Sequence, residues 1–172
     1  MVAMTSNGTA VVTLPADTQI LITREFDAPK HLVYRAYTEP DLIARWWSGE
    51  RGEVTSVEVD LRVGGTWRYV MKANEGFEVA FHGQFREIVP NERLGTTEVY
   101  EMPDDDPMAG TPEAEDGALN IVTFTDVDGR TTLTTAVECH TKEVRDAIID
   151  SGMEGGMQEA MDRLEKVAVS LG

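Results

Sequence analysis

Residues 151–171 read SGMEGGMQEAMDRLEKVAVSL. Met153, Met157, Ala160, Met161, Leu164, Ala168 and Leu171 recur at steps of three and four, a spacing that puts them on one face of an α-helix. Glu154, Gln158, Asp162, Glu165 and Lys166 fall mostly elsewhere, and Glu159–Arg163 and Asp162–Lys166 are favourable i,i+4 pairs. Ser151 followed by Glu154 has the form of a capping box, so a helix restarts there after Gly152. The predicted helix is roughly 30 Å long, enough to cross a small domain. Gly155 and Gly156 in its first turns each cost about 1 kcal/mol relative to alanine. A helix keeps such residues where a curved sheet or a ligand approaches its backbone. The methionines on its buried face leave room for either reading, because thioethers adapt both to a packed core and to an irregular cavity.

The rest of the chain supplies what this helix covers. With 172 residues it forms most simply one domain, burying roughly 70% of the surface exposed when unfolded. Fifteen basic against thirty-one acidic residues give a net charge of −16. Such a surface repels phosphate backbones and anionic membranes, so no nucleic acid partner is expected. A lone cysteine, Cys139, excludes an internal disulfide and suits a reducing compartment. No apolar run is long enough to span a membrane, and the N-terminus lacks the blocks of a signal peptide. A cytoplasmic location is expected.

Residues 1–16 read as an N-terminal extension, with Thr9–Leu14 able to add an edge strand, and 17–172 as the domain proper. Thr18–Phe26 is a strand. Asp27-Ala28-Pro29 predicts a helix start with Asp27 as N-cap, and a second short helix follows from about Glu39 to Trp46. From Glu53 the pattern changes to period two. Val54–Val63 ends at the Gly64-Gly65 turn; Trp67, Tyr69 and Met71 alternate with charged residues. Phe77, Val79, Phe81 and Phe85 alternate in the next strand, and Arg93–Glu101 follows the Pro90-Asn91 turn. Leu119–Val127 joins Arg130–His140 across Asp128-Gly129. Met102–Gly117, acidic and rich in Pro and Gly, reads as a solvated loop or a lid; its Asp104-Asp105-Asp106 lacks calcium-loop spacing.

The order is strand, two helices, a strand meander and a long final helix. It predicts an α+β fold in which a curved antiparallel sheet of about seven strands wraps around the C-terminal helix. Large aromatics on the inner face would line any space left between sheet and helix.

Several stretches carry a resemblance. Residues 22–29 (Ile22-Thr23-Arg24-Glu25-Phe26-Asp27-Ala28-Pro29), Thr38-Glu39-Pro40 and Arg45-Trp46-Trp47 resemble the opening of the Hsp90-ATPase-activator-homologue (AHSA1-like) family. Gly64-Gly65-Thr66-Trp67 and the ending Ser151-Gly152-Met153-Glu154-Gly155-Gly156-Met157…Asp162-Arg163-Leu164 resemble it too. The family belongs to the START-like (SRPBCC) superfamily with the helix-grip fold, and the match runs in order from Thr9 onward. The resemblance implies a cavity between sheet and helix, used across the superfamily for apolar molecules. Two departures fall near it: Ser48-Gly49 stands where the family often has Gly-Pro, and Met157 where a tryptophan is common. The co-chaperones that name the family carry an additional domain absent here, so a chaperone role does not pass through the name.

Nothing in the residues alone demands chemistry. Cys139 and His140 are adjacent, and neighbours in a strand point to opposite faces, which excludes a nucleophile–base pair. Glu138 and His140 share a face there, about 7 Å apart. Three scattered histidines without HxH or HExxH spacing give no zinc site, and His82 and His140 read as surface residues. No catalytic residue, metal or cofactor is expected. The candidate ligand-binding set is Trp46, Trp47, Trp67, Tyr69, Met71, Phe81, Phe124, Met153, Met157 and Met161, although each of these fits core packing as well. The expected function is non-catalytic binding of a small hydrophobic or amphipathic molecule by a monomer or homodimer. A cavity enzyme of cyclase, hydrolase or lyase type and a chaperone-partner interaction module are the alternatives.

Overall fold

The computed structural model describes residues 10–101, 117–150 and 153–172. Its strands are β1 (Val11–Thr13), β2 (Gln19–Phe26), β3 (Gly52–Val59), β4 (Thr66–Ala73), β5 (Glu78–Val89), β6 (Arg93–Tyr100), β7 (Ala118–Val127) and β8 (Arg130–Glu138). The helices are α1 (Lys30–Thr38), α2 (Pro40–Ile43), α3 (Lys142–Asp150) and α4 (Met153–Ser170). All strands pair antiparallel in one sheet of order β1-β2-β8-β7-β6-β5-β4-β3. The helices α1 and α2 carry the chain from β2 to the far edge. The meander then returns strand by strand until β8 lies beside β2.

The period-two pattern explains the sheet. Along β2, Ile20, Ile22, Arg24 and Phe26 are buried while the intervening residues keep some exposure. At Asp128-Gly129 both residues have positive φ (53° and 79°), the backbone of a two-residue hairpin turn. Register shifts at Val54/Ser56 and Phe85/Glu87 mark irregularities that add twist to β3 and β5. The core forms where α4 meets the inner face: Leu164 and Ala168 are fully buried with Phe26, Leu133 and Val33. Arg24 joins them at 1% exposure, its Nη2 donating to Glu165 Oε1 at 3.0 Å and lying 3.3 Å from Asp162 Oδ1.

Several boundaries differ from expectation. The eighth strand is β1, which pairs Val11–Thr13 with Leu21–Thr23. Asp27 does not cap α1: Pro29 holds that position without a side-chain hydrogen bond, and the Asp27 carboxylate lies 3.6 Å from Arg130 Nε. The second helix stops at Ile43 and continues as turns, and β3 ends at Val59. Phe77 lies outside β5 and is exposed, because it sits in the turn after Gly76. The last strand ends at Glu138; His140 has φ 67° and donates its backbone N–H to the Glu138 carboxylate at 3.3 Å, so the two are not strand neighbours. A separate helix, α3, precedes the long one. At Gly156 the close approach comes from neither sheet nor ligand. A Cβ there would sit 2.6 Å from the Arg51 guanidinium carbon, whereas Gly155 faces open space. The Ser151 cap and the Met102–Gly117 loop lie outside the described residues, apart from Gly117 itself.

Candidate functional site

Of the adjacent tryptophans, Trp46 turns into the core and Trp47 toward the sheet. Trp46 Nε1 donates to the Ala36 carbonyl at 2.8 Å, and its ring lies 5.4 Å from that of Tyr37. Tyr37 in turn meets Phe124 edge-on at 5.7 Å. Trp47 packs edge-on against Tyr69 and Phe81 at 5.5 and 5.7 Å, and Trp67 lies 4.6 Å from Tyr69. The structure therefore divides the expected set. Trp47, Trp67, Tyr69 and Phe81 form one continuous aromatic group; Trp46 and Phe124 join a second through Tyr37. Met161 is buried in the main core, and Met153 and Met157 pack against it half-buried. Met71 is buried on β4, two residues beyond Tyr69.

Register explains why the first group gathers. Tyr69 pairs with Phe81, and Phe81 with Tyr100, so these side chains share the inner face. The same alternation along β6 puts Glu98 on that face beside Tyr100. Across to β7, Thr96 pairs with Asn120, which alternates with the buried Val122 and Phe124. Glu98 and Asn120 are thus diagonal neighbours among aromatic and aliphatic residues.

Burial raises the Glu98 carboxyl above its ordinary range, and a hydrogen bond from Asn120 offsets part of that rise. Burial likewise pushes the hydroxyls of Tyr37 and Tyr69 far up, with the negative charge of Glu98 adding to both. Yet Tyr37, Trp47, Tyr69, Phe81, Glu98 and Asn120 all keep part of their surface accessible. On the same face, Asn120 Oδ1, Thr135 Oγ1 and Trp67 Nε1 are buried without a hydrogen-bond partner. These polar groups were missed by sequence reasoning. The available signal was parity: Leu94, Thr96, Glu98 and Tyr100 alternate together, so a β6 that buries Leu94 and pairs Tyr100 with Phe81 must also turn Glu98 inward.

Elsewhere the titratable groups are structural. Cys139 is fully buried, and desolvation with the nearby Glu138 charge pushes its thiol up to about 11, which makes it a poor nucleophile. On the outer face Glu101 accepts from Arg68 Nε at 2.8 Å and contacts His82 Nδ1 at 2.9 Å. These partners hold its carboxyl down at about 2. Among the described residues no cluster of His, Cys, Asp and Glu could hold a metal. An open surface cleft of about 470 Å³ lies between Asp27, Arg130, Glu165 and Lys166 and is lined by none of these aromatic residues.

A family model described as activator of Hsp90 ATPase homolog 1-like protein matches residues 27–168. No curated protein matches. A Rhodobacter sphaeroides protein of solved structure is similar with TM-score 0.81 and 25% identity, over 94% of this chain and 99% of that one. A Mycobacterium smegmatis protein, Ms6760, is similar in fold with TM-score 0.79 and 24% identity, covering 92% and 96%. An AHSA1-like protein from Aeromonas hydrophila, solved in solution, shares the fold with TM-score 0.61 at 24% identity, over 88% and 94%.

Proposed function

Because the chain belongs to the activator of Hsp90 ATPase homolog 1-like family, we propose that it binds a small amphipathic molecule between the inner face of the sheet and α4. One observation carries the reading. Tyr37, Tyr69 and Glu98 are hemmed in closely enough to shift their titration, yet each retains accessible surface. Partial exposure beside groups whose titration burial shifts is what a recess between sheet and helix would give. Trp47, Phe81 and Met157 give that room apolar walls, while Glu98 and Asn120 give it a small polar spot, the usual make-up of a small-molecule site. Residues 17–172 form the binding domain in this reading, and residues 1–16 are an N-terminal extension that contributes the edge strand Val11–Thr13.

Native mass spectrometry of freshly purified full-length protein tests it. The expected spectrum shows a bound small molecule that denaturation releases, or uptake of the neutral probe N-phenyl-1-naphthylamine with a rise in its emission. Protein at its bare mass that also leaves the probe unaffected overturns the reading.

A second reading draws on Glu98 alone. A carboxyl whose proton burial holds more tightly, with two tyrosine hydroxyls beside it, is a candidate general acid. In that case the ligand is a substrate and the protein releases a molecule altered from the one supplied.

A further inference from the structure

We propose that the molecule bound here is neutral and enters with a hydroxyl group at its buried end, received by Asn120 and Glu98, and that carboxylates are refused. This inference rests on the binding reading above and adds the chemistry of the ligand. Its basis is the arrangement on β6 and β7. The register sets Glu98 one diagonal step from Asn120, and the Asn120 amide nitrogen is turned to Glu98. That leaves Asn120 Oδ1, buried and unpartnered, as an acceptor in search of a donor. An unmet buried acceptor is costly, so a ligand that supplies a donor gains more than the hydrogen bond itself. A hydroxyl supplies one. Its own oxygen can then accept from Tyr37 or Tyr69, whose hydroxyls lie within the electrostatic reach of Glu98.

An ether or hydrocarbon of the same size leaves Oδ1 unmet. A carboxylate is worse, because it has no proton to give to Oδ1 and sets its own oxygens against Oδ1 and the Glu98 carboxyl. The buried cation of this face, Arg24 on β2, already has its Nη2 against two carboxylates, Asp162 and Glu165, although its Nε and Nη1 have no hydrogen-bond partner.

The test compares two isomers, 1-octanol and 1-methoxyheptane, with octanoate, each displacing N-phenyl-1-naphthylamine from the full-length protein at neutral pH. Octanol is expected to displace the probe at about tenfold lower concentration than its ether isomer, the worth of one hydrogen bond to a buried acceptor. In Asn120→Leu the probe still binds and the two isomers become equal. In Glu98→Gln octanol keeps its advantage over the ether, and octanoate gains relative to octanol because the amide that replaces the carboxyl brings N–H donors. Equal displacement by the isomers in the parent overturns the proposal while the binding reading stands. So does a preference that persists in Asn120→Leu, or, should that variant not fold, an octanoate-to-octanol ratio unchanged in Glu98→Gln. A parent that never takes up the probe removes both.

Discussion

At Glu98 burial and hydrogen bonding pull in opposite directions, and burial dominates, so the folded protein holds this proton more tightly than the unfolded chain does. The sign of the consequence is fixed by linkage. Above the ordinary carboxyl value of 4.5 the unfolded chain releases the proton while the folded protein keeps it, so folding stability falls as pH rises until the raised folded value is passed. Glu98→Gln removes the titration. Its Tm relative to the parent is expected to climb as pH rises above 4.5, and a difference flat with pH would place the carboxyl in contact with water. Glu101 behaves oppositely: its stabilisation is complete above its ordinary value of 4.5 and is lost as pH falls toward about 2. The two windows barely overlap, so the acid limb does not obscure the test. Little of this was legible beforehand. The pairing of His82 and Arg68 with Glu101 joins three strands or strand ends, and Glu98 reads as a surface charge until the pairing of Tyr100 with Phe81 is known.

Among the elements, α4 was the most legible, because a stripe of apolar residues at steps of three and four is written in eighteen consecutive residues. Leu164 lies at its centre with no exposed surface. Leu164→Ala should therefore cost about 2–5 kcal/mol, read as a shift in denaturation midpoint at unchanged slope. A shift worth under half a kcal/mol, as for an ordinary surface change, would show that the helix is not the core element. What holds the helix in register was not legible. Arg24 reaches it from a strand 138 residues away in sequence from Asp162, and the Gln158 side chain exchanges two hydrogen bonds of 2.9 Å with the backbone of Ala10. Such contacts follow from the tertiary fold, which no local pattern encodes. The nine residues of α3 escaped for another reason: they begin four residues after β8 ends, and among them only Arg145 is buried.

For the molecule as a whole, the order of elements was enough to give the architecture: once β2 and β8 bracket a meander, one antiparallel sheet around one helix is the simple way to bury both apolar faces. Whether the space between them is filled is a separate question, decided by a few side-chain volumes, and Met157 is where it can be asked. The residue sits half-buried on α4 against the core. The loop that crosses α4 beside it is tightly fitted: a Cβ on Gly49 would sit 3.0 Å from Glu159 Cβ, and Gly49 has φ 58°. The backbone there has little freedom to move aside for a larger ring. Met157→Trp must therefore place its added volume in space that already exists or force the core apart. In the first case the variant loses less than about 1 kcal/mol and binds N-phenyl-1-naphthylamine more weakly than the parent, because ring and probe compete for one volume. In a filled core the same change costs about 1–3 kcal/mol through overpacking. A midpoint shift of that size, in a protein whose parent takes up no probe, would leave a packed core at the centre of the molecule and move the search for its partner to the outer surface.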